Sequence, residues 1–173
     1  MNRFARSVDT LSEWSGRFSA WMFFTIGLFI TYEVVMRYVF TAPTVWVDEV
    51  SRVMQIWAAY LGAAYVLKHR KMITIEVILK DPSSIRRRMA DTLAIIMLLV
   101  FVVPAVYFGF QLWLKSTLAG HTTDSFLGSP KWLTHASVWI GLGLLALQSI
   151  VELYRVWFAG TQPDDYDQIA DSG

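Results

Sequence analysis

Between Asp91 and Lys115 the chain runs for 23 residues, Thr92 to Leu114, without a charged side chain. Wound as a helix, such a run is about 34 Å long, close to the hydrocarbon thickness of a bilayer. It offers water almost no polar face, so whatever folds around it must be a membrane protein. Three more stretches follow the same pattern. Trp132 to Val151 is 20 residues closed by Lys131 and Glu152, with Gly141 and Gly143 inside it, where neighbouring helices could approach closely. Phe18 to Phe40 is interrupted only by Glu33 and Arg37, both in its final third. Val45 to Leu67 opens on the charged turn Asp48, Glu49, Arg52, preceded by Pro43 as at a helix entry, and is uncharged from Val53 onward. The sequence predicts an all-α integral membrane protein with four transmembrane helices at about 18–40, 45–67, 92–114 and 132–151. Residues 1–173 then form one domain with an acidic tail at 161–173.

Composition limits what else the chain can carry. It is 55% hydrophobic and 17% charged, against about 45–50% and about 25% for a soluble domain. Four spans of roughly 20 residues consume about half of the chain and leave no segment large enough for a soluble enzyme domain. The absence of cysteine removes disulfides, thiolate metal sites and iron–sulfur clusters. Of the three histidines, His69 falls in a loop while His121 and His135 lie toward the opposite side, so they do not face each other as haem or metal ligands would. No catalytic, cofactor-binding or metal-ligating residue is expected. A net charge of +1 gives no basic surface for nucleic acid.

The first apolar segment is long and bulky, which predicts a retained span rather than a cleaved signal. Ahead of it Phe4, Val8, Leu11, Ser15 and Phe18 recur at helical spacing, with Arg3, Arg6, Asp9 and Glu13 elsewhere. That pattern fits either a short interfacial helix or a helical lead-in to the first span. Orientation follows from the basic residues. Eleven of the fifteen Lys and Arg lie in the amino-terminal segment, in the loop after the second span or in the tail, which predicts that both termini are cytoplasmic. Asp164, Asp165, Asp167 and Asp171 read as a solvated end.

Charges gather between the first two spans. Glu33 and Arg37, and again Asp48 and Arg52, are four residues apart and can pair along a helix, while Asp48 and Glu49 suit the positive end of a helix macrodipole. An ion or proton site is one reading of this corner. A staple between helices, or to a partner, is the other, and the near balance of charge favours it. Six tryptophans fall near span ends as an aromatic belt, and the deeper Trp57, Trp139, Tyr60 and Tyr65 suit helix packing.

The stretch Glu33-Val-Val-Met-Arg37-Tyr38, then Pro43, Trp46, Asp48-Glu49, Arg52, Trp57 and Leu61-Gly62-Ala63-Ala64 resembles the small, DctQ-like membrane subunit of tripartite ATP-independent periplasmic (TRAP) transporters. Where many members have Gly-His-Ile after the second span, this chain has Lys71-Met72-Ile73, with Glu76 where Asp is common. The resemblance implies an accessory subunit in the bacterial inner membrane that braces a large, elevator-type, sodium-driven subunit. An organic acid would be delivered to that subunit by a periplasmic binding protein. It also implies that Gly62, Ala63 and Ala64 permit close helix contact, that Glu33, Arg37, Asp48, Glu49 and Arg52 fix a corner of the subunit interface, and that the run Arg86, Arg87, Arg88 anchors to anionic lipid headgroups. Sodium would then belong to the large partner. Two other classes remain open: a membrane anchor for a respiratory dehydrogenase, and a standalone small oligomeric channel.

Overall fold

A computed structural model describes residues 3–69, 85–125 and 127–158, apart from the side chains of Arg86 and Arg87. Four helices make up nearly all of it: α1 (Arg3–Tyr38), α2 (Val45–Lys68), α3 (Ile85–Leu118) and α4 (Lys131–Phe158). The stretches 45–67, 92–114 and 132–151 fall inside α2, α3 and α4, and 18–40 runs two residues past the end of α1. No strand forms among the described residues, and one isolated antiparallel bridge joins Thr122 to Pro130.

Among the described residues, three helices are long and apolar enough to cross a membrane: α1, residues Arg88–Leu118 of α3, and α4. α2 has the length, 24 residues, or about 36 Å. Its hydropathy is lowered by Asp48, Glu49, Arg52 and Gln55 in the first three turns. α1 is one unbroken helix of 36 residues, about 54 Å long, so the amino-terminal segment is a lead-in continuous with the first span and not a separate helix. At that length α1 must tilt or project beyond a hydrocarbon core of about 30 Å.

The face that α1 buries differs from its most apolar one. Ala5, Val8, Ser12, Ser19, Ile26 and Glu33 are buried, a small-residue stripe repeating at three, four and seven. Of the apolar stripe read in the sequence, Phe4, Leu11 and Phe18 are exposed, while Val8 is buried and Ser15 half-buried. The physical reason lies in the solvent. Lipid tails solvate bulky apolar side chains as well as a protein core does, so small residues that bring backbones together take the inside.

α1 and α2 form an antiparallel hairpin whose turn is built by local chemistry. Thr41 adopts a left-handed φ of 52°, and the Ala42 amide donates to the Met36 carbonyl at 3.0 Å. Pro43 then leads into Thr44, the extended N-cap of α2 (φ −99°, ψ 124°). Along the hairpin the Ser19 hydroxyl donates to the Ala58 carbonyl at 2.6 Å and the Ser15 hydroxyl to the Leu61 carbonyl at 3.1 Å. A Cβ on Gly16 would stand 2.2 Å from the Tyr65 ring.

α2 and α4 run parallel. A Cβ on Gly141 would stand 2.6–2.8 Å from Tyr60, backbone included, so the bare Gly141 backbone sets this interhelical distance. Gly143, expected to share that role, faces open space. The backbone of α3 packs on α4 alone, and α1 meets α4 over a smaller contact, so the lateral order is α1, α2, α4, α3. Ala64, Leu67, Val102 and Leu145 form the central apolar cluster.

Candidate functional site

The buried polar groups collect at two ends of the bundle. At the turn end, Glu33 projects from the last turns of α1 beside the start of α2. Arg37 Nε and Nη2 donate to its Oε1 at 3.1 and 2.8 Å. The Thr44 amide donates to its Oε2 at 2.9 Å, and the Thr44 hydroxyl donates to the same oxygen. Thr44 therefore uses its hydroxyl to hold α1 rather than to cap its own helix.

Glu49, one turn into α2, faces away from this pair and into the α3–α4 connection. The hydroxyls of Thr123 and Ser125 and the Ser129 amide donate to its Oε1 at 3.1, 2.5 and 3.2 Å, and the Leu127 amide to Oε2 at 3.3 Å. The loop closes around the carboxylate: the Thr123 amide donates to the Ser129 carbonyl at 2.9 Å, and the Lys131 amide to His121 at 2.9 Å. Asp48 and Arg52 pair at 2.7 Å on the surface, with side chains 75% and 69% exposed. The five charges expected as one corner thus divide into a helix–helix tie, a loop anchor and a surface pair.

The opposite end, where Arg3 and Phe158 lie, holds a second network that the sequence reading did not single out. The fully buried Ser12 hydroxyl donates to Gln148 Oε1 at 2.8 Å. Gln148 Nε2 donates to Asp9 at 3.2 Å and to Glu152 at 3.1 Å. Arg155 bridges the two acids, donating to Glu152 at 2.6 Å and to Asp9. Beside it Glu13 accepts from Lys68 Nζ at 2.8 Å and lies 3.1 Å from His69 Nε2, while Lys68 also donates to the Asp9 carbonyl at 3.2 Å. One signal was present in the sequence: Glu152 and Arg155 three apart at the end of an apolar helix, with a lone Gln148 one turn earlier.

Between the ends, Trp57 Nε1 donates to the Leu133 carbonyl at 3.0 Å, tying α2 to α4. His135 Nδ1 shares a hydrogen bond of 2.7 Å with the Ser116 hydroxyl, tying α3 to α4. Tyr60 and Tyr65 lie against Gly141 and Gly16, and Trp139 meets Phe110 edge to face and Trp113 at a tilt. Of the three small residues, Ala64 is fully buried in the central cluster and Ala63 packs against it. A Cβ on Gly62 would stand 3.0 Å from the Ser19 hydroxyl. Arg88 is described, half-buried near the start of α3. The side chains of Arg86 and Arg87, the Lys71–Ile73 stretch, Glu76 and the acidic tail lie outside the described residues.

The arrangement is one of carboxylates satisfied by neighbouring elements: it fixes helices and a loop in place. No curated protein matches the chain. Residues 26–159 match the family model described as tripartite ATP-independent periplasmic transporters, DctQ component. Carried by that match over most of its length, the chain belongs to the DctQ component family of tripartite ATP-independent periplasmic transporters.

Proposed function

We propose that this chain is the accessory subunit that braces the large membrane subunit of a sodium-driven TRAP transporter during uptake of an organic acid delivered by a periplasmic binding protein. It sits in the bacterial inner membrane as a single domain of four spans, α2 included. Both termini are cytoplasmic, in keeping with the distribution of Lys and Arg. Its lipid-headgroup contacts include Arg86, Arg87 and Arg88. Sodium and substrate are handled by the partner.

The observation that carries this reading is how the buried acids are used. Glu33, Glu49 and Asp9 each accept hydrogen bonds from another element of the same chain. Opposite charges and hydroxyls consumed in this way make a stiff body, which is what a brace for a moving partner requires. Glu33, Arg37, Asp48, Glu49 and Arg52, with Gly62, Ala63 and Ala64, are the residues proposed to shape the side offered to that partner, directly or by holding it rigid.

The test is purification of the tagged chain from native membranes in mild detergent, with mass spectrometry and an absorbance scan of the eluate, followed by reconstitution. The expected result is one much larger polytopic protein in about equal amount, no haem band, and sodium-dependent uptake only when both subunits and the binding protein are present. Co-elution of a redox enzyme, or transport by the chain alone, would replace this reading with an anchor or a channel.

A further inference from the structure

The exposed faces of the helices differ in composition. On α1 the exposed side chains include Phe4, Leu11, Trp14, Phe18 and Trp21, and on α3 they include Met97, Val100, Phe101 and Phe108. These are bulky and apolar, the composition of a surface that meets lipid tails. α2 breaks the pattern. Its exposed stripe runs through Asp48, Arg52, Gln55, Ala59 and Val66 at helical spacing. It lies on the side turned away both from α1, which touches Ala58, Leu61 and Tyr65, and from α4, which touches Trp57 and Tyr60.

Gln55 is the telling residue. It stands ten residues, about 15 Å, into a helix about 36 Å long. If α2 spans the membrane, Gln55 lies in the hydrocarbon. Among the described residues its amide has no hydrogen-bonding partner, and an unsatisfied amide facing lipid tails is strongly disfavoured. Ala59, one turn deeper, leaves room for a second backbone. The stripe is polar but nearly neutral, because Asp48 and Arg52 neutralise each other at 2.7 Å. Neither an anionic headgroup nor a charged segment complements it. A transmembrane helix that presents a neutral hydrogen-bonding side chain to Gln55 and a small residue to Ala59 does.

We infer that the Asp48–Arg52–Gln55–Ala59 face of α2 is the docking surface for a transmembrane helix of the large partner subunit. The inference rests on the accessory-subunit reading and adds to it the face that meets the partner. Gln55 forms the polar contact, Ala59 sets the helix spacing, and the Asp48–Arg52 pair caps the seam at the turn end.

The experiment places a photoreactive diazirine side chain at position 55, 59, 101 or 108 of the full chain in native membranes. Adducts are identified by mass spectrometry, and the partner co-purifying with the unmodified chain is identified in parallel. The inference expects adducts to one large polytopic protein from positions 55 and 59 and none from 101 or 108. It also expects Gln55→Leu to reduce recovery of that protein roughly three- to tenfold, the range for one interhelical polar contact in a membrane, at unchanged membrane levels of this chain. Adducts to the large protein from 101 or 108 but not from 55 or 59 would overturn the assigned face and leave the accessory reading standing. Adducts from 55 and 59 to a second copy of this chain would overturn the choice of occupant. Co-purification that yields no polytopic partner would overturn the accessory reading itself.

Discussion

Glu33 receives four hydrogen bonds, two from Arg37 and two from Thr44, whereas the Arg37 side chain is 57% exposed and can turn to water or headgroups. The pair is therefore asymmetric. Glu33→Gln is expected to lower stability by about 2 kcal/mol, because hydrogen bonds to a charged acceptor are worth about 1.5–3 kcal/mol. Arg37→Gln is expected to lower it by clearly less, since the arginine is largely exposed, and the double variant to be no worse than Glu33→Gln alone. Thermal unfolding in detergent with intact membrane levels reads all three. At the other end the order reverses, since Arg155 is the cation between two acids that are themselves largely buried. Arg155→Leu leaves Asp9 and Glu152 without it and is expected to cost about 3 kcal/mol, with Arg155→Lys recovering part. The i, i+4 pairs were legible in the sequence because a helix makes them neighbours automatically. The Asp9–Arg155 contact was not, because 146 positions separate the two residues and no local pattern selects one distant partner over another. Asp9, Ser12 and Glu13 also precede residue 26, where the family match begins, so the resemblance did not point to them.

Two glycines two residues apart on α4 give the clearest contrast between elements. Gly141→Ala pushes a methyl group into the Tyr60 backbone and is expected to destabilise by about 1–3 kcal/mol. Gly143→Ala meets nothing within 4 Å and is expected to be neutral or slightly stabilising, as alanine is in a helix interior. A thermal-shift comparison of the two decides whether close approach is local to Gly141. The α3–α4 connection depends on α2 in the same one-sided way. Glu49→Ala withdraws the acceptor from two hydroxyls and two amides. The expected outcome is faster hydrogen exchange at residues 123–129 with little change in the helices. Sequence patterning located the four helices but did not give the packed face of α1, because apolar periodicity finds the greasiest stripe and membrane packing selects the smallest. Ser12, Ser15 and Ser19 carry little hydropathy signal, yet they make the contacts.

At the scale of the whole molecule, the lateral order α1, α2, α4, α3 makes a row more than a closed bundle. Apart from the share of Val102 in the central cluster, α3 is held by one neighbour, through Gly109 against Val138 and Trp139, the Ser116–His135 bond, and the Trp157 indole donating to Thr92 at 3.1 Å. α3 is accordingly expected to detach first, so Gly109→Leu should raise protease access around α3 at detergent concentrations that leave the α1–α2 hairpin protected. Limited proteolysis followed by mass mapping measures this. Overall helicity and the approximate positions of the four helices were readable from the hydropathy pattern alone, since long uncharged runs between charged turns mark them. The neighbour relations depended on which hydroxyl meets which carbonyl, and that is decided by shape complementarity between segments far apart in the chain.

The α1–α2 hairpin has a property that only its rungs taken together reveal. Hydrogen bonds join residue 33 to 44, 19 to 58, 15 to 61 and 9 to 68, so the register is held to within one residue from one end to the other. Sliding one helix past its neighbour by even a residue would take every rung out of step at once, and no intermediate alignment preserves some of them. Mechanically this is a gauge block: it can be carried and tilted as a whole, but its length does not change under load. A moving partner that presses on one end would meet the displacement unchanged at the other.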